Sequence, residues 1–190
     1  MSAARMSPLS SRLSLRGLVA GGAVLALVGV GLAVADPAAA ATTISVNSFS
    51  DGDGNAACTT ASVVTPAGET TLRNALCVAS NLGGETTITV PAGTYTLTEG
   101  ALVLGTESGT DVVLASSGGR AEIIGDGSSQ ILTLDPDLVG DIDVEIDGFT
   151  FTGGRDSVFG GGAIIGGIGS ESVETDSLIV RDSTFTDNAS

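Results

Sequence analysis

The sequence predicts an all-β chain whose short parallel strands coil into stacked rungs behind one capping helix, and three observations carry that expectation. Val144-Glu-Ile-Asp-Gly-Phe-Thr-Phe-Thr-Gly-Gly154 alternates its apolar residues as Val144 and Ile146, slips phase at Asp147-Gly148, and resumes as Phe149 and Phe151. Alternation puts every second side chain on one face, so a slip at a glycine either flips that face or marks a bend that keeps it inward. The pattern then returns 34 residues later as Leu178, Val180, Ser183 and Phe185, with Thr150-Phe151 matched by Thr184-Phe185. Such a recurrence predicts units whose apolar edge only the next unit can cover. Third, acidity with few aromatics can signal disorder, but abundant Val, Ile, Leu and Thr with glycine punctuation argue for ordered strands. The alternative is an immunoglobulin-like β-sandwich, which pairs its strands antiparallel.

The elements follow in order. Arg5, Arg12 and Arg16 precede an uncharged apolar run from Gly17 to Ala35, and Ala38-Ala-Ala-Ala41 offers small residues in A-x-A spacing. Residues 1–41 read as a signal peptide for the general secretory route, since no paired arginines mark the twin-arginine route. The run approaches the roughly 20 residues of a membrane anchor. Its Gly and Ala content and the cleavage box that follows favour removal, which leaves no membrane span. The exported 149 residues suffice for one domain with a core. They keep 4 of the 7 arginines and 21 of the 22 acids, a net charge of −17, so nucleic acid and acidic membrane surfaces are poor partners, and no nucleic acid is expected. Cys58 and Cys77 both survive export, and an oxidising destination makes a disulfide between them the default, stabilising by roughly 3 kcal/mol. Two thiols without histidine cannot complete a zinc site.

Residues 42–84 read as an N-terminal cap. Thr42 to Ser48 alternates as a strand with Ile44 and Val46 on one face, and Asp51-Gly-Asp-Gly-Asn55 makes a polar loop. Thr70 to Asn81 is the one convincing helix, with Leu72, Ala75, Leu76 and Ala79 on one side, Thr70 or Thr71 as its cap and Gly83-Gly84 as its stop. A lone helix before a run of strands suits a plug over the open end of a coil. Residues 85–190 read as rungs: Ile88 and Val90 before the turn Pro91-Ala-Gly-Thr94, then Tyr95, Leu97, Leu102 and Leu104. Val112 to Leu114, Ile123-Ile124, Ile131 to Leu134, the central corner and Ala163-Ile-Ile165 follow. Residues 169–176 read as a loop pushed out of the coil, and the rungs are expected to continue beyond Ser190.

On these residues the chain resembles the N-terminal region of secreted bacterial right-handed parallel β-helix proteins with a CSLREAI-type domain. Thr70-Thr-Leu-Arg-Asn-Ala-Leu76 stands where that family has Cys-Ser-Leu-Arg-Glu-Ala-Ile, keeping Leu72, Arg73 and Ala75 but replacing its Cys with Thr70 and its Glu with Asn74. Downstream, Ile88 to Leu97 matches the family's Ile-x-x-Pro-Ala-Gly-Thr-Tyr-x-Leu. Ile123 to Gly127, Val144 to Gly154 and Asp182 to Asn188 match further rung motifs in the family's order. The resemblance implies a pectin-lyase-like β-helix, secreted or surface-displayed, with Cys77 taking over the pairing with Cys58. It implies no defined activity, since this fold hosts both enzymes and inert stalks.

Lyases and hydrolases on this fold act on acidic polysaccharides with a basic proton abstractor or with paired Asp, His and Lys. This chain has no His, no Lys and no adjacent Asp pair, and its rung region offers only Arg120, Arg155 and Arg181, which read as solvated or ion-paired. Catalysis is not expected within these residues. Asp135, Asp137, Asp141 and Asp143 form the tightest acidic group and, with Asp51, Asp53 and Asn55, are weak candidates for calcium, a cation that takes six to eight oxygens. The second loop departs from a calcium loop at Ala56 and Ser62, and solubilising acids are the plainer reading of both groups. No other cofactor is expected. Asn188-Ala-Ser190 fits a glycosylation sequon, and the glycines around Gly160 read as coil corners rather than a phosphate loop.

The expectation is thus a secreted or cell-surface non-catalytic module, a structural stalk or adhesion scaffold, meeting a cell-wall or extracellular polysaccharide or a protein ligand. The alternatives are the N-terminal part of a polysaccharide lyase or glycoside hydrolase whose site lies outside this chain, and a small calcium-dependent binder.

Overall fold

Short runs of β-branched residues broken by glycine and aspartate pair best where the breaks recur in the neighbouring strand, and the ladders keep such a register apart from one shift, where Pro91 faces Ser117 but Gly93 faces Ala121. The structure is a computed structural model and describes residues 41–52, 68–82, 84–105, 109–135, 140–156, 162–166 and 177–190. The leader expected over residues 1–41 lies, apart from Ala41, outside the described residues. The elements run β1 (Thr42–Ser45), α1 (Leu72–Leu82), β2 (Gly84–Thr96), β3 (Leu102–Leu104), β4 (Thr110–Ile124) and β5 (Leu132–Leu134). They continue as β6 (Ile142–Asp147), β7 (Phe149–Thr152), β8 (Ile164–Ile165), β9 (Ser177–Arg181) and β10 (Thr184–Thr186).

The strands form three columns. In the first, β1, the first part of β2, the first part of β4, β6 and β9 lie side by side, so that Ile44, Ile88, Leu114, Ile146 and Val180 share one register position. In the second, the latter parts of β2 and β4, then β7 and β10, align Tyr95, Ile123, Phe151 and Phe185. The third is a separate sheet of β3, β5 and β8, aligning Val103, Thr133 and Ile165. Every ladder among the described residues is parallel, unlike the antiparallel pairing of the sandwich alternative.

The corner between the first two columns explains the phase slip. Between β6 and β7, Gly148 has φ 82°, and 34 residues on Asp182 takes the same left-handed conformation at φ 43°. Gly153 at φ 73° is matched in the same way by Asp187 at φ 53°. Glycine enters this region without steric cost and aspartate tolerates it better than most residues, so the turn conformation is kept while the residue changes. The slip therefore bends the strand and does not flip it: Val144, Ile146, Phe149 and Phe151 are all buried. Each such side chain contributes roughly 1.5–3 kcal/mol relative to exposure. A Cβ on Gly154 would sit 1.9 Å from the carbonyl oxygen of Gly162, so glycine there permits close approach of two backbones.

The helix forms on the expected face, with Leu72, Ala75, Leu76 and Ala79 buried. It begins at Leu72 because Thr71 caps it, its Oγ1 accepting the Asn74 N–H at 3.1 Å. Thr70 is drawn out of the helix instead: its N–H donates to Asn47 Oδ1 at 2.6 Å and its carbonyl accepts the N–H groups of Asn47 and Ser48. α1 packs against β3, β2 and β4, and Ser80 Oγ accepts the Gly105 N–H at 2.9 Å. β3 is the first strand of its sheet, and β2 stands next to the first strand of the larger one. Among the described residues no helix is long and apolar enough to cross a membrane.

Candidate functional site

Outward positions in a parallel sheet stack in rows, and the rows here decide which polar groups can meet. On the first column Glu85, Asp111 and Asp143 are in register on adjacent strands, with Ser177 next, its hydroxyl donating to Asp143. Strands about 4.8 Å apart place such carboxylates close together, and like charges directly opposite each other destabilise a sheet. A shallow depression of about 270 Å³ is lined here by Asp111, Val113, Asp143, Val144, Glu145, Ser177 and Ile179. Glu145 is ion-paired with Arg181 one strand on. The carboxylates form a row along the face, and among the described residues no group of three or more His, Cys, Asp or Glu is placed to hold a metal ion.

Of the calcium candidates, Asp51, Asp135, Asp141 and Asp143 lie among the described residues, and no three of these are grouped to hold a metal ion. Asp51 is buried and ion-paired with Arg73, and its Oδ2 accepts the N–H groups of Thr98 at 2.6 Å and Glu99 at 2.9 Å. This corrects its reading as a polar loop acid: the carboxylate is engaged by one guanidinium and two backbone amides. Asp53, Asn55 and Asp137 lie outside the described residues. Asp135 is buried at φ 48° and accepts the Gly140 N–H at 3.3 Å. Asp141 is exposed at φ 59°, whereas Asp143 belongs to the outer row of β6.

Of the arginines weighed for catalysis, Arg120 donates to Thr184 Oγ1, Arg181 pairs with Glu145, and Arg155 is exposed beside the bridge it makes with Ala189. Cys77 is buried on α1 and disulfide-bonded; Cys58, the other cysteine of the sequence, lies outside the described residues. Asn188 does not present a free sequon amide, because Nδ2 donates to the Phe151 carbonyl at 2.9 Å and Oδ1 accepts the Gly154 N–H at 2.8 Å.

Among the described residues, two groups are shifted from their ordinary values. Hydrogen bonds from Ser128 and Ser129 hold Asp126 below the usual carboxylate range, its exposed carboxylate closing a turn after β4. Burial pushes the Tyr95 hydroxyl up, and that hydroxyl donates to the Pro91 carbonyl at 2.9 Å.

The built polar constellation is one whose role sequence reasoning missed, the clamp around Arg73. Its Nε and Nη2 reach the Asp51 carboxylate at 2.9 and 3.0 Å, while Nη1 and Nη2 donate to the carbonyls of Ala101 at 2.7 Å and Gly100 at 2.8 Å. A planar guanidinium suits this set of acceptors. The clamp ties three segments far apart in sequence, and its signal was the Leu72-Arg73-x-Ala75 run. Its chemistry is that of a fastener: each of the three guanidinium nitrogens donates to an oxygen of the protein itself. Comparison with protein-family models, with curated proteins and with solved structures found no match to this chain.

Proposed function

We propose that this chain is a secreted or surface-displayed non-catalytic module, its strands winding as a right-handed parallel β-helix behind α1 and serving as a structural stalk or adhesion scaffold. The observation that carries this reading is the in-register stacking of three parallel columns, Ile88 over Leu114 over Ile146 in one and Tyr95 over Ile123 over Phe151 in another. Stacked turns of this kind make an elongated body whose outer rows are available to a polysaccharide or protein ligand. Its polar groups lie in rows or close on one another, as in the Arg73 clamp. The likeness of Leu72-Arg73-x-Ala75 and of the rung motifs to CSLREAI-type proteins supports the same reading, as does the leader-like segment over residues 1–41.

The test is intact-mass and unreduced peptide mapping of the product from medium, cell wall and cell interior, with a polygalacturonate turnover assay. The expected result is an exported chain that starts near Ala41 or Thr42, with Cys58 linked to Cys77 and no sugar release. An unprocessed chain held in the cell with free thiols, or catalytic release of sugar, would overturn it.

A further inference from the structure

We draw no further inference here: the strongest candidate, the outward row of Glu85, Asp111 and Asp143 beside the shallow depression on the first column, is an acidic cluster, and among the described residues no second observation at it points to a ligand.

Discussion

The two ends of the described strands use the same residues to opposite effect. At the starting end, Ile44 and Val46 of the first strand segment are buried, and α1 lays Leu72, Ala75, Leu76 and Ala79 over β2, β3 and β4. At the other end, Leu178 and Val180 continue the ladder of Val144 and Ile146 and remain substantially exposed. Alternating pattern, strand type and register are common to both; only the neighbour differs. Burial in a parallel sheet is therefore conferred by the neighbouring elements and is not a property of the strand itself. The ion pairs follow the same contrast: Asp51–Arg73 is buried beside α1, and Glu145–Arg181 lies in the solvent at the last strand.

Breaking the two ion pairs should expose that difference most strongly. Arg73→Ala leaves Asp51 buried without its counter-charge and the Gly100 and Ala101 carbonyls without their donor, and should cost roughly 3–5 kcal/mol in urea unfolding. Arg181→Ala should cost less than about 1 kcal/mol, the range of exposed pairs. Equal costs would show that the starting end is no more tightly closed than the other.

Truncating one leucine at each end gives a smaller contrast. Leu76→Ala, at a fully buried site, should destabilise by roughly 2–5 kcal/mol, whereas Leu178→Ala should fall below about 1 kcal/mol because little apolar surface is lost.

The smallest effect belongs to a turn away from both ends. Asp126 has a folded-state pKa below its unfolded value, so its contribution is present above the ordinary aspartate pKa and lost as pH falls through the depressed one. Asp126→Asn should shift stability by no more than about 0.5 kcal/mol at neutral pH. Unfolding midpoints of wild type and variant should converge as the pH is lowered; a gap that widens in acid would contradict the assignment.

Much of the fold was legible because it is carried by residues adjacent in sequence. The phase slip at Asp147-Gly148 announced a corner, and the 34-residue recurrence announced a register that the ladders reproduce at Val144–Leu178 and Phe151–Phe185. The helix face was readable from its period, whereas its first residue was not, because Thr70 is held by Asn47, which lies 23 residues earlier. The candidate site was less legible. Asp51 looked like a solvated loop acid because its partners, Arg73, Thr98 and Glu99, are distant in sequence, and Asn188 looked like a sequon because its partner Gly154 lies 34 residues earlier.

By itself, the sequence determined the strand character, the corners and the repeat, since apolar alternation and left-handed Gly or Asp positions act over a few residues and need no distant partner. The tertiary structure alone decided which of those apolar faces is covered and which charges are paired, because both depend on what the neighbouring strands and helix bring within a few ångströms. Leu178 and Val144 read alike in the chain; the strands beside each make one exposed and the other buried.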